Sequence, residues 1–118
     1  MTVRRMKTYT GGQGYVYQYY FVGQRPGAAG KDRAIEYVFD VTADRKTMFS
    51  VSVLVQEDAL ANWAAEHGRR LTEAEQYGAA KMRLFQGFDE VEHMQRDGRT
   101  LLLDSAGLRE VLTTLGVE

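Results

Sequence analysis

The 118-residue sequence has no cysteine, a single proline (Pro26), a single tryptophan (Trp63) and only two histidines, His67 and His93. Without cysteine there can be no disulfide, no thiol nucleophile and no thiolate zinc site. A reducing cytoplasm is therefore the expected location. The opening MTVRRMK has no apolar stretch of the kind a secretory signal needs. No apolar run approaches the roughly 18 residues of a membrane-spanning helix, so a soluble protein with no membrane partner is expected.

The two histidines also limit metal chemistry. His67 falls beside Arg69 and Arg70 at the end of a helical stretch, where positive charge suits the helix dipole. His93 lies near Asp89, Glu90 and Glu92. On a continuing helix Asp89, Glu90 and His93 would share a face, but such a cluster at a helix end is ordinarily solvated surface. We expect no metal site and no cofactor.

Two glycine motifs invite a phosphate-binding reading and fail it. Gly11-Gly12-Gln13-Gly14 leads into a β-prone run, whereas a phosphate loop must open a helix. Gly30-Lys31 has Arg25 where a P-loop needs its first glycine, and Asp32 where it needs Ser or Thr.

What is present is a well-patterned small domain. The length suits one domain, residues 1–118, with a self-sufficient core. Tyr15 to Val22 is a strongly β-prone run with four tyrosines. Residues 23–32 (GQRPGAAGKD) read as a loop by composition, long for a hairpin and so a candidate binding loop carrying Arg25 and Lys31. Residues 33–42 and 47–55 alternate as two more strands, joined by a turn at Ala43-Asp44-Arg45-Lys46. Val3–Tyr9 is a candidate fourth strand across the glycine turn.

Period-2 alternation places Ile35, Tyr37, Phe39 and Val41 on the same face as Phe49, Val51, Val53 and Val55. That face is the expected core. In the first strand the lone polar Gln18 suggests that Val16, Gln18, Tyr20 and Val22 look outward.

Helical spacing follows. Leu60, Trp63, Ala64 and His67 mark a helix from about residue 57 to 66, closed by Gly68. Thr72 and Glu75 form a capping box for a second helix, whose expected stripe runs Ala74, Tyr77, Lys81, Leu84, Phe85, Phe88 and Val91. Gly78 and Gly87 weaken it and could permit close approach to the sheet. Asp97-Gly98 signals a turn. Thr100–Leu103 is either a short buried strand or an irregular segment. Asp104 or Ser105 caps a last helix that ends before Gly116. Strands first and helices after gives an α+β fold: an antiparallel meander of three strands, with a candidate fourth, followed by two to three helices packed on one face.

Three functional readings remain open. The face opposite the core still holds Val16, Tyr20, Val22, Val38, Met48 and Leu54, and monomers seldom leave such a contiguous apolar patch bare. The N-terminal segment, the final helix or a second copy could cover it. The first reading is thus an interaction or ligand-binding domain without catalytic residues, a homodimer through Tyr20, Val22, Val38 and Leu54, with Arg25 and Lys31 available to an anionic ligand. The second rests on charge asymmetry. Residues 1–46 carry eight basic and four acidic side chains, and the first 31 residues contain no acid, so nucleic acid or another polyanion is a candidate partner. The third is a small enzyme using the carboxylates Glu36 and Asp40, near Ser50 and Ser52 on the outer face.

Overall fold

A computed structural model describes residues 5–118. The chain forms β1 (Lys7–Thr10), β2 (Val16–Ala29), β3 (Asp32–Thr42), β4 (Phe49–Gln56), α1 (Glu57–His67), α2 (Glu73–Glu90), the single-turn α3 (Met94–Asp97), β5 (Thr100–Leu103) and α4 (Ser105–Leu115). The five strands make one sheet in chain order. The first four are an antiparallel meander, and β5 pairs parallel with β4 after the helical crossover that parallel pairing demands. This is an α+β fold.

β3 and β4 pair with Ile35 opposite Val55, Tyr37 opposite Val53, Phe39 opposite Val51 and Val41 opposite Phe49. All of these but Ile35, which is half-buried, are buried, and the helices lie on this face. β1 forms as the fourth strand, Lys7–Thr10 pairing with Val16–Tyr19. The expected start of that strand at Val3 lies outside the described residues. Tyr17 and Tyr19 point to the core as the Gln18 argument requires and meet α2, Tyr17 stacking on Phe88 at 4.3 Å and Tyr19 standing edge-on to Phe85 at 5.6 Å, while Tyr9 of β1 stacks on Phe85 at 4.4 Å between ring centres.

Residues 23–29 are strand, not loop. β2 continues to Ala29 and reaches β3 through a two-residue turn, Gly30-Lys31. Gly30 has φ +63° and Lys31 is not in the positive region, as a type II′ hairpin turn requires. The composition misleads because this stretch lies beyond the reach of β1 among the described residues, and proline is tolerated on such an edge. A bulge between Phe21 and Gly23 adds one residue to β2. It reverses the parity of everything after it, so Arg25 comes to lie opposite Glu36 on the outer face.

The helices follow their start and stop signals. Thr72 caps α2 with the full reciprocal box, and Asp104 caps α4 by accepting from Gly107 N–H. Gly68 and Gly116 close α1 and α4 in the left-handed region. The buried side of α2 is Ala79, Ala80, Leu84, Gly87 and Phe88, rotated from the expected stripe; Ala74 is exposed and Lys81 half-buried. Small residues let the helix settle on the strands, while Tyr77 and Phe85 flank it and touch the aromatic rings of β2. α2 stops at Glu90, so His93 is not on a continuing helix and shares no face with Asp89 and Glu90. Asp89 instead accepts from Tyr9 Oη–H and Gly12 N–H, both at 2.8 Å, and holds the glycine turn.

The two α2 glycines differ in what surrounds them. A Cβ on Gly87 would lie 2.7 Å from Cδ1 of buried Leu101, but one on Gly78 only 3.5 Å from Leu115 Cδ1. Gly78→Ala should therefore gain up to about 1 kcal/mol of helix propensity, whereas in Gly87→Ala overpacking of roughly 1–3 kcal/mol should outweigh that gain. Urea denaturation of both variants checks the ordering; a Gly87→Ala protein more stable than Gly78→Ala would refute it.

Glu75 accepts from both terminal nitrogens of Arg69 and from Thr72 N–H, which holds its carboxyl down to about 2. A depressed acid stabilises the fold above its unfolded value near 4.3 and loses that contribution as pH falls through its folded value. The urea midpoint of the native protein should exceed that of Glu75→Gln near neutrality. The gap should close between about pH 4 and 2.

Candidate functional site

The outer face of the sheet carries most of the residues singled out from the sequence. Among the described residues no helix covers it. The final helix packs against α1 and α2 instead. Three cross-strand rows of that face carry these residues. Val38 is central, between Gly23 and Ser52, with Thr100 beyond. On one side lie Arg25, Glu36, Leu54 and Leu102; on the other, Tyr20, Asp40 and Ser50.

Polar groups in the two flanking rows are joined within the chain. Arg25 donates to both oxygens of Glu36 at 2.8 and 3.3 Å, and Ser52 Oγ–H donates to Glu36 at 2.6 Å. The guanidinium first, then the serine hydroxyl, hold the Glu36 carboxyl below the usual range. Gly27 makes room for this arrangement, since a Cβ there would come 3.1 Å from Glu36 Cβ. In the other row Asp40 accepts from Tyr20 Oη–H at 2.8 Å and from Ser50 Oγ–H at 3.0 Å. Ser50 and Ser52 thus stand beside the two carboxylates as the hairpin register implies. Glu36 and Asp40 lie on an open strand face and line neither the cavity between Tyr15 and Met94 nor the one between Ile35 and Leu71.

The apolar members of the face are distributed along its length. Val38 and Leu54 are half-buried, and Val16, Val22 and Leu102 are each about two-fifths exposed. Val22 sits at the bulge. Leu102, on the short strand β5, extends the patch to the far edge, and the sequence could have shown it: in Thr100–Leu103 only a strand would turn one leucine outward between two turned inward.

Arg25 and Lys31 are not brought together. Arg25 is engaged with Glu36, and Lys31 stands at the hairpin tip roughly 16 Å further along the strand. The other cations up to residue 46 are divided too: Lys7 lies on the edge strand opposite Tyr19, Arg33 stands near Lys31, and Arg45 and Lys46 lie at the opposite end of β3, about 30 Å from Arg33. Of the four tyrosines in the β-prone run, Tyr17 and Tyr19 are buried under α2, Tyr15 is exposed ahead of β2, and Tyr20 lies on the outer face beside Asp40. His67 stacks on Trp63 at 4.0 Å, with Nδ1–H donating to the Trp63 carbonyl. No group of three or more metal-ligating side chains occurs among the described residues, and no helix is long and apolar enough to cross a membrane. No family model, no curated protein and no solved structure matches this chain.

Proposed function

We propose that the protein is a small cytoplasmic interaction module that pairs with a second copy of itself through the outer face of its sheet. The observation that carries this reading is the internal pairing of that face. Arg25, Glu36 and Ser52 satisfy one another, as do Tyr20, Asp40 and Ser50. A surface whose polar groups already have partners demands no complementary charges from what covers it, so burial costs less. What it offers is apolar: Val38 at the centre, with Val22, Leu54 and Leu102 around it.

The dimensions agree with a modest dimer. Five strands about 4.8 Å apart, with about seven paired residues rising 3.3 Å each, span roughly 550 Å² per protomer. Two such faces bury about 1,100 Å², near the lower end of specific interfaces. A two-fold contact matches a surface with itself about its centre; here that centre is Val38, on the middle strand and in the middle row. The cysteine-free composition supports the cytoplasmic assignment.

Sedimentation velocity at high micromolar concentration should give a species of twice 13.4 kDa. Val38→Asp sets two carboxylates against each other near the axis and should weaken association by about 100-fold or more, with the far-ultraviolet circular dichroism unchanged. A strict monomer in the native protein, or an unaltered dimer in a folded Val38→Asp variant, would sink this reading.

A further inference from the structure

A cavity of about 630 Å³ lies at the end of the sheet where β2 begins, the β3–β4 turn passes and α2 hands over to α3. Its size falls within the roughly 300–1,000 Å³ range of small-molecule sites. Tyr15, Phe49 and Met94 supply apolar wall, and Tyr17, Asp44 and Glu92 supply polar groups.

Tyr17 is the first pointer to a ligand. Its residue is 2% exposed and its ring is stacked on Phe88, yet its hydroxyl makes no hydrogen bond among the described residues. No fully enclosed side-chain polar atom is left unpaired there, so the hydroxyl reaches the cavity that Tyr17 lines. A buried tyrosine ordinarily finds a partner for this group.

Asp44 is the second. Its Oδ1 accepts three hydrogen bonds, from Thr42 Oγ1 at 3.1 Å, Lys46 N at 2.8 Å and Thr47 N at 2.7 Å; Oδ2 takes none of these three, and the Thr47 side chain adds a smaller contribution to the carboxylate. Those backbone donors hold the acid down to about 2, so it stays ionised, fixed in direction, with Oδ2 outside the three bonds that hold the turn. Glu92 adds a second carboxylate with no ion pair among the described residues. Of the cations, Arg96 is turned onto the Asp97 carboxylate through Nε and Nη2. Among the charged lining groups Asp44 and Glu92 outnumber Arg96, and their carboxylate acceptors stand beside the polar side chains of His93 and Gln95.

We propose that this cavity binds a small organic ammonium ion with an apolar or aromatic body. The ammonium group faces Asp44 Oδ2 and Glu92, the Tyr17 hydroxyl accepts one of its hydrogen bonds, and the body lies against Tyr15, Phe49 and Met94. Aromatic walls beside fixed carboxylates are the environment in which an organic cation is held without full hydration. A metal ion would need a denser set of ligands than the cavity offers.

The full chain, labelled with nitrogen-15, can be titrated with 2-phenylethylammonium and with two probes of similar size, 2-phenylethanol and 3-phenylpropionate. The cation should bind with a Kd of roughly 1–10 mM, as befits a ligand of this size, and move the amide signals of Tyr15, Asp44, Thr47 and residues 92–96. The alcohol and the anion should bind at least about tenfold more weakly, the factor that one charge-assisted hydrogen bond supplies. Asp44→Asn keeps an oxygen for the three donors of the turn while removing the charge, and should lower the affinity for the cation by a similar factor; Tyr17→Phe should lower it a few-fold. Equal binding of the anion or the alcohol, shifts confined to another part of the molecule, no binding of the cation, or undiminished affinity in a folded Asp44→Asn protein would each overturn the proposal. The comparison of the three probes needs no variant, so it decides the matter even if Asp44→Asn fails to fold.

Discussion

Side chains on β3 and β4 alternate without interruption from Ile35 to Val41 and from Phe49 to Val55. Every other element adjusts to that alternation. Strands with one strictly apolar side cannot slip by a single residue without turning that whole side to water, so this hairpin is the fixed frame. β2 obeys it as far as Phe21, spends one residue in the bulge, and resumes with opposite parity. α2 meets the frame with alanines and a glycine because the aromatic rings of β1 and β2 already fill the space beside it. The same bulge delivers Arg25 to Glu36. One inserted residue thus sets both the composition of the core and the chemistry of the outer face.

The elements legible from residues alone are those with local, redundant signals. Thr72 and Glu75 announce a helix start because cap and counter-cap lie three residues apart, and Gly68 and Gly116 announce helix ends. β3 and β4 are legible because period-2 patterning has no competing interpretation. Residues 23–29 are not, since Gly, Pro and Ala carry loop composition wherever they occur. Only the pairing with β3, a long-range fact, makes them a strand. The buried side of α2 was displaced for a related reason. Hydrophobicity ranks Tyr77 and Phe85 above Ala79 and Ala80, but proximity to the sheet favours small side chains, and a sequence does not state distances.

The outer face was legible by the same logic as the core. Once β3 and β4 are strands, Glu36, Val38 and Asp40 must share a side, and Ser50, Ser52 and Leu54 must answer them. What patterning cannot supply is whether those polar groups look to solvent or to one another. Glu36 as a lone acid on a strand is a candidate base; Glu36 clamped by Arg25 and Ser52 is a stabilised, weakly basic carboxylate. The bulge separates these two descriptions, and its one local signal, Gly23 inside a strand, reads as a strand end when the residues after it have loop composition. The cavity was further from reach. Asp44 in a turn between strands is what any hairpin shows, and only the uneven division of its hydrogen bonds between two oxygens distinguishes it.

The outer face and the cavity draw on the same strands through opposite sides of the sheet. Val16 lies between Tyr15 and Tyr17, and Met48 between Thr47 and Phe49, so these four cavity residues each adjoin an exposed apolar side chain. Such adjacency could couple the two surfaces only if a ligand or a second copy moved the strands between them. Coupling of binding is reciprocal and equals a difference in free energy between two arrangements; a paired sheet with a buried, well-filled core has few second arrangements to offer. The Asp44 turn is tied to itself by Thr42, Lys46 and Thr47 rather than to the outer face. Pleating therefore insulates what sequence adjacency brings together, and a protomer that paired through Val38, as proposed, would keep its cavity as open as one that is alone.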